Sequence, residues 1–142
     1  MTRLHAMTQR TLVLLKPDTV RRGLVGEVLG RFEAKGLSIV AMEHRTIDAA
    51  QADRHYAEHV EKDFYPPLRA FVTSGPLVAL VLEGEEAVEV VRAANGATDG
   101  RKAAPGTIRG DLSLSNRENL VHGSDSPESA VREIGIWFPE LG

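Results

Sequence analysis

The chain of 142 residues contains no cysteine, which excludes a disulfide framework, a thiol nucleophile and a zinc site built on cysteine. Long apolar runs are also missing, since none approaches the roughly 20 residues that a membrane-spanning helix needs. Residues 1–9 are polar and lack the apolar segment of a secretory signal. These absences predict a cytoplasmic protein with no membrane partner.

The chain has no excess of positive charge either. Its 17 Lys and Arg residues face 20 Asp and Glu residues, which gives a formal net charge of −3 and a pI near 5.9. Proteins that bind nucleic acid usually carry a basic surface, so the composition argues against a nucleic-acid partner. Because salt screens charges beyond about 10 Å, a few clustered cations would still hold a small anion.

What the chain does have is the composition of one globular domain, with 42% hydrophobic and 26% charged residues. We predict a flexible leader over residues 1–9 and a single domain over 10–142. Met1 and Met7 are both candidates for the native start. No internal repeat or linker divides the domain further.

Apolar runs and helical periodicity give the order of the elements. The predicted strands cover residues 10–16, 37–47, 77–82 and 119–121. Five helices are predicted. The first is capped by Asp18 and ends at Gly36, the second is capped by Asp48, and the third begins at Pro66. The fourth covers residues 85–95, and the fifth begins at Pro127 after the cap Ser126. This order predicts an α/β fold of the split βαβ type, a four-stranded antiparallel sheet covered on one face by helices.

The segment between Gly96 and Asn119 shows no sustained period, and so long a loop in a compact domain is usually functional. It contains Arg109 next to a glycine, which permits close approach of the backbone to a ligand. Together with Arg92 and Lys16, Arg109 would form a phosphate clamp. The alternatives are that these cations only solubilise the surface, or that Arg109 begins an Arg-Gly-Asp adhesion motif.

His122 ends a predicted strand and precedes Gly123 and a helix N-terminus, where an anion is favoured. Glu133 lies on that helix beside the apolar stripe, so its carboxylate needs a partner such as an imidazole. A carboxylate on one ring nitrogen would fix the tautomer and leave the other nitrogen as a nucleophile. The alternative is a turn histidine with Glu133 as a solvated charge.

A competing pattern is HYAEH at residues 55–59, which matches the H-x-x-E-H motif of inverted zinc metalloproteases. Its two histidines lie one helical turn apart. However, Tyr56 aligns with Ala52 and Val60 as the inward stripe, so we expect both histidines on a solvated flank. A zinc hydrolase built on these histidines remains one alternative function.

Three further motifs are Lys16-Pro17-Asp18 after the first strand, GTIRGD at residues 106–111 and NLVHGSDS at residues 119–126. Together they resemble the nucleoside diphosphate kinase family. The segments RGLVGEVLGRFEAKG, TSGP and REIGIWF also look like that family, so the resemblance covers nearly all of residues 10–138. It implies a ferredoxin-like α/β sandwich.

The resemblance also implies that a γ-phosphate passes from a nucleoside triphosphate through a phosphohistidine at His122 to a nucleoside diphosphate, with ping-pong kinetics. Glu133 would orient His122, Ser124 would support that contact, and Lys16 would join the catalytic group. The implied nucleotide-binding residues are Lys16, Tyr56, Phe64, Leu68, Arg92, Thr98, Arg109 and Asn119. Of these, Lys16 and Asn119 would also touch the ribose, and Phe64 and Leu68 would sandwich the base.

The implied cofactor is Mg²⁺, held mainly by the nucleotide phosphates and reached by Asp125 at most through water. The implied partners are nucleoside di- and triphosphates and further copies of the chain, as a hexamer or a tetramer. A nucleotide-sensing module without catalysis is the alternative on the same fold.

The sequence departs from the family pattern at Gly100, where proline is usual. If the loop keeps the family's path, with φ of Gly100 near −65° and its amide unpaired, we expect Gly100→Pro to stabilise the protein by about 0.4 to 1 kcal/mol.

Overall fold

The computed structural model describes residues 8–141, so the choice between Met1 and Met7 lies outside the described residues. The strands are β1 (Thr8–Leu15), β2 (Ser38–Arg45), β3 (Leu77–Glu85) and β4 (Val121–Gly123). The helices are α1 (Pro17–Arg21), α2 (Val25–Lys35), α3 (Ala49–His55), α4 (Tyr65–Val72), α5 (Ala87–Asn95), α6 (Ile108–Leu112) and α7 (Pro127–Trp137). None of these helices combines the length and apolarity needed to cross a lipid bilayer.

The four strands form one sheet in the order β2-β3-β1-β4, and every neighbouring pair is antiparallel. β1 lies in the interior of the sheet because its apolar run can be buried on both faces. It begins at Thr8, two residues earlier than the sequence indicates, and pairs with β3 along its whole length. The predicted fold class, a ferredoxin-like antiparallel sheet covered by helices, is confirmed.

The helices cover both faces of the sheet, so the expectation that they cover one face is wrong. Side chains of β1 alternate between two cores, with Val13 and Leu15 in one and Leu12 and Leu14 in the other. The first core takes residues from α2, α5 and α6, and the second takes residues from α3, α4 and α7. A sheet buried on both faces explains why the strands read as continuous apolar runs.

Several helix ends follow from local chemistry. The Asp48 side chain accepts from the amide of Gln51, and Ser126 accepts from the amide of Ser129, as their predicted capping roles require. Gly36 ends α2 with φ of 106°, a conformation that favours glycine. Asp18, in contrast, is not a cap, because it lies inside α1.

The segment between α5 and β4 is less irregular than its sequence suggests. It contains α6, whose first turn is capped by Thr107 as its side chain accepts from the amide of Gly110. Arg109 therefore lies on a short helix and not on a free loop. Asp111, the last residue of the Arg-Gly-Asp triplet, accepts from the amide of Gly106 and pairs with Arg31, so the triplet is tied into the fold.

Candidate active site

One cavity of about 980 Å³ brings together the residues that the sequence singles out, although they come from four helices, one strand and the loops between them. The lining includes all eight predicted nucleotide-binding residues and three more from the catalytic and metal predictions: Lys16, Tyr56, Phe64, Leu68, Arg92, Thr98, Arg109, Asn119, His122, Asp125 and Glu133. Ser124 is fully buried behind this surface.

His122 lies within β4, paired with Leu14 of β1, and not beyond the end of the strand as predicted. Its Nε2 lies 2.8 Å from Oε1 of Glu133, and the Ser124 hydroxyl donates to the same oxygen at 2.8 Å. Burial acts to raise the pKa of Glu133, but the bonds from His122 and Ser124 outweigh it and lower that pKa. Because an ionised carboxylate only accepts, Nε2 of His122 carries a proton, and the neutral imidazole then has its lone pair on Nδ1.

Lys16 is a buried cation at the edge of the cavity, only 7% exposed. Its Nζ donates to Oδ1 of Asn119 at 2.9 Å. Burial and then the charge of Arg109 lower the pKa of Lys16 to about 8. The ammonium is therefore poorly solvated, and an anion in the cavity would stabilise its charge.

Arg109 donates three hydrogen bonds to backbone carbonyls, those of Gly96, Asn119 and Val121. A guanidinium has five N–H groups, so two remain for a ligand. Burial and then the charge of Arg92 lower the pKa of Arg109 to about 10. Arg109 therefore anchors three segments of the wall and still presents positive charge to the cavity.

Asn119 links the two ends of the loop that forms this wall. Its Nδ2 donates to the carbonyls of Thr98 and Asn116, each at 2.9 Å, and its Oδ1 accepts from Lys16. Both amide protons are thus used within the protein. Only Oδ1, an acceptor, has capacity for a ribose hydroxyl.

Leu120 precedes β4 with φ of 76°, a left-handed conformation that is costly for a side chain other than glycine. Its amide donates to Oδ2 of Asp18, and its carbonyl accepts from the amide of Lys16 and the hydroxyl of Thr19. These three bonds hold the backbone two residues before His122. This role of Asp18 was not predicted, because helix capping was the local explanation for an aspartate at this position.

The mouth of the cavity is more exposed than its interior. The Phe64 side chain is 50% exposed and packs against the ring of His59 at 5.4 Å between centroids, while Leu68 is half-buried. Tyr56 projects a hydroxyl that is buried and has no partner among residues 8–141. Burial raises the pKa of Tyr56, so the hydroxyl stays a neutral donor.

His55 is a buried residue, 3% exposed, so the expectation of a solvated flank is wrong for it. In the described part of the chain, the cluster of possible metal ligands is His55, His122 and Glu133, with one ligand atom of each within 4.8 Å of the others. His59 does not belong to this cluster, which gives no support to the alternative of a zinc site built on His55 and His59. The sequence carried a signal for the burial of His55, because His55 follows Ala52, itself buried, by three residues on the same helix.

The antiparallel α/β sandwich, with His122 and the cations Lys16, Arg92 and Arg109 among the residues that line one cavity, defines a small phosphotransferase. The chain belongs to the nucleoside diphosphate kinase family, whose model, described as nucleoside diphosphate kinase, matches residues 9–141. It is accordingly an enzyme that transfers the terminal phosphate of a nucleoside triphosphate to a nucleoside diphosphate. The family resemblance inferred from the motifs is confirmed.

Relatives of known name agree with this assignment. The chain is 82% identical over 135 residues to the nucleoside diphosphate kinase of Nocardioides sp., covering 95% of this chain and 100% of the relative. It is 62% identical over 133 residues to that of Cutibacterium acnes, covering 94% and 96%. Among solved structures, the Halobacterium salinarum enzyme in complex with CDP is similar with a TM-score of 0.89 and 48% identity, covering 92% of this chain and 87% of that one.

Proposed function

We propose that the transfer passes through Nδ1 of His122. The lone pair on Nδ1 attacks the γ-phosphorus, the bond from that phosphorus to the bridging oxygen breaks, and a nucleoside diphosphate leaves. In the second half, an oxygen of the acceptor's terminal phosphate attacks the same phosphorus and the P–N bond breaks. The observation that carries this proposal is the 2.8 Å contact of Nε2 with Glu133, which places the proton of a neutral imidazole on Nε2 and its lone pair on Nδ1.

The phosphates would be held by Lys16, Arg109 and Arg92, with the Tyr56 and Thr98 hydroxyls as neutral donors. Charge spreads over the phosphoryl oxygens as the bond breaks, so fixed cations in a partly buried site stabilise that charge. The buried ammonium of Lys16 is well suited to this role, because its lowered pKa reflects a charge without a strong partner.

The nucleoside would lie toward the exposed mouth of the cavity. Phe64 and Leu68 offer apolar surface for a base, and Lys16 and Asn119 offer a donor and an acceptor for the ribose. The Halobacterium salinarum relative was solved in complex with CDP, which supports a nucleoside diphosphate as the ligand of this cavity. The base would stack and not be read by buried polar groups.

The family uses a divalent metal ion, and we take Mg²⁺ to be that ion. Glu133 is committed to His122 and Ser124, whereas Asp125 is exposed and lines the cavity. Mg²⁺ usually binds phosphates and keeps several waters, so Asp125 would reach it through water. The ion would supply partial neutralisation of the phosphates. The protein's own part is to hold the polyphosphate in line with His122.

The working form would be a homo-oligomer in the cytoplasm, a hexamer or a tetramer, without nucleic-acid partners. β2 supports self-association because it is the terminal strand of the described sheet, and Met42 on it is 51% exposed. The net charge of −3 supports the absence of nucleic acid, and the absence of cysteine is compatible with a reducing compartment. Sedimentation at several concentrations would determine the number of subunits.

A labelling experiment tests the proposed function. The protein is incubated with γ-labelled ATP and Mg²⁺ and quenched in base. We expect acid-labile label on the chain that chases onto added GDP. His122→Ala, with native circular dichroism, should carry no label, and His44→Ala, a change at an exposed residue of β2, should label normally. Near-normal transfer by His122→Ala would contradict the proposal, and absence of label on the wild type would favour a sensor or a zinc hydrolase.

A further inference from the structure

The ring of His55 packs directly against the ring of His122. Their centroids lie 4.6 Å apart and the ring planes meet at 80°, an edge-to-face arrangement. His55 is the last residue of α3 and His122 lies on β4, so the contact joins two parts of the chain that are far apart in sequence. His55 is 3% exposed, which means that the ring has little room to move.

His55 is itself held in one orientation by Trp137. The indole Nε1 donates to Nδ1 of His55 at 3.0 Å, and the two rings also meet at 78° with 5.6 Å between centroids. Nδ1 must therefore carry a lone pair, so His55 is neutral with its proton on Nε2. Burial, and then the charge of His122, keep the pKa of His55 well below 6.5.

The backbone around His55 is fixed as well. Arg132 of α7 donates from its guanidinium to the carbonyls of Arg54 and His55, at 3.0 and 2.9 Å. The same helix carries Glu133, which holds Nε2 of His122. One helix therefore positions both neighbours of the His122 ring, the carboxylate and, through His55, the packed ring.

A single hydrogen bond to Nε2 does not fix the plane of the His122 ring. Nε2 lies nearer to the axis of the Cβ–Cγ bond than Nδ1 does, so a rotation of the ring about that bond moves Nδ1 further than it moves Nε2. Rotation would swing Nδ1 away from the phosphorus. A second ring packed against the first at 4.6 Å restricts this rotation, because turning His122 would drive it into His55.

We propose that His55 is a positioning residue that fixes the plane of the His122 ring and so aims Nδ1 at the phosphorus. It acts through His122 and contacts no phosphate. This inference rests on the proposed role of His122 as the nucleophile. Misplacing a reacting atom by about 1 Å can cost a hundredfold in rate, so the effect should appear in the phosphorylation step.

Three variants separate the parts of this arrangement. His55→Asn keeps an acceptor near Nδ1 for the Trp137 indole but removes the ring that packs on His122. His55→Phe keeps a ring but leaves the indole without its acceptor. Val72→Ala, in the same core and away from the cavity, is the control for a general loss of stability.

The measurements are the rate of phosphoenzyme formation at saturating ATP, the final extent of phosphorylation, the KM for ATP, and the urea midpoint. We expect His55→Asn to slow phosphorylation by about 10- to 100-fold with KM within about threefold of wild type, and to reach full extent. His55→Phe should retain more of the rate than His55→Asn, although its urea midpoint should be lower. Val72→Ala should lower the midpoint and leave the rate unchanged.

The inference is overturned if His55→Asn phosphorylates at the wild-type rate. It is also overturned if Val72→Ala, at a comparable loss of urea midpoint, slows phosphorylation as much as His55→Asn does, or if KM for ATP rises in His55→Asn with the rate unchanged. Failure of the proposed function is distinct, because the wild type would then form no phosphohistidine at His122. Slow but complete phosphorylation of the His55 variants therefore tests positioning by itself.

Discussion

The floor and the rim of the active-site cavity are built in different ways. We define the floor as His122 with its four supports, and each support is at most 5% exposed: His55, Ser124, Glu133 and Trp137. Each of the four is hydrogen-bonded to another member of this group. The floor is therefore set before a substrate arrives.

The rim has no comparable support. We define it as Phe64, Leu114 and Asn116, all exposed, with Leu114 at 85%. Its members line the cavity, and their exposed side chains have room to adjust to a ligand. The difference shows where an enzyme of this family needs fixed geometry: phosphoryl transfer depends on in-line positioning and fixed charge, whereas stacking on a base tolerates movement.

The largest effect should come from removing the anchor of the floor. We expect Glu133→Ala to lower kcat by about 100-fold, because His122 loses the acceptor that selects its tautomer and orients its ring. Glu133→Gln should lose less, since the amide oxygen can still accept from Nε2. Steady-state kinetics with ATP and GDP measure both. The control is Glu128→Ala, a change at an exposed residue of the same helix. Equal turnover of Glu133→Ala and wild type would show that Glu133 does not orient His122 for the reaction.

The caps and apolar runs explain how much of the fold could be predicted. Gly36, Asp48 and Ser126 act through neighbours within four residues, so their roles are visible in sequence. α6 was missed because its cap, Thr107, stands among turn-forming residues and the helix is only five residues long. The second covered face was missed because it depends on packing between distant helices.

The active site divides in the same way: features carried by local motifs could be predicted, and contacts between distant residues could not. The family motifs led to residues that line one cavity, and Glu133 was also indicated by its position beside an apolar stripe. His55 and Asp18 were misread because their partners, Trp137 and Leu120, lie 82 and 102 positions away. Long-range hydrogen bonds of buried polar side chains leave little trace in local periodicity. The sequence therefore indicated two of the supports, Glu133 and Ser124, but not the contact of His55 with Trp137.

The second prediction concerns Lys16, the buried cation that donates to Asn119 at the edge of the cavity. In the free enzyme its pKa is lowered to about 8, and bound phosphates would raise it again because they stabilise the charged form. Nucleotide binding above that pH must then take up a proton. We expect the KM for GDP to rise by about tenfold per pH unit above pH 8. Lys16→Arg, which stays charged, should show a flat profile over the same range.

The lowered pKa of Lys16 also determines whether the stability of the nucleotide-free protein rises or falls with pH. Between about pH 8 and 10.5 the unfolded chain holds the Lys16 proton more tightly than the folded one. The free energy of unfolding should therefore rise with pH across this window, as far as Lys16 contributes, and Lys16→Met should lack that rise. A KM for GDP that stays constant from pH 7 to 9.5 would contradict the pKa argument.

The third prediction concerns the rim. Stacking on Phe64 is available to any base, so kcat/KM should vary by less than about a hundredfold among purine, pyrimidine, ribose and deoxyribose acceptors. A larger preference would imply roughly 2.7 kcal/mol of base-specific contact. Phe64→Ala should lower kcat/KM by a similar factor for every base, about 5- to 10-fold, mostly through KM. A loss confined to one base would mean that the rim reads the base.

The smallest effect on turnover should come from Gly100, which does not belong to the described lining of the cavity. The expectation that Gly100→Pro stabilises the protein is overturned by its surroundings. Its amide donates to the carbonyl of Ser115 at 3.1 Å, a bond that proline cannot make. A Cβ at Gly100 would also lie 2.4 Å from the carbonyl oxygen of Ser113, which is backbone and 3% exposed, so it cannot yield cheaply.

We therefore expect Gly100→Pro to lower the free energy of unfolding by about 1–3 kcal/mol, the usual cost of forcing extra atoms into a packed region. Gly100→Ala keeps the amide and isolates the steric part of that loss. Gly30→Ala, on the exposed side of α2 with no described atom within 4 Å of its new Cβ, should gain about 0.5–1 kcal/mol. Urea midpoints measure all three. A midpoint above wild type for Gly100→Pro would mean that this wall follows another path in solution, and the assignment of Thr98 would fall with it.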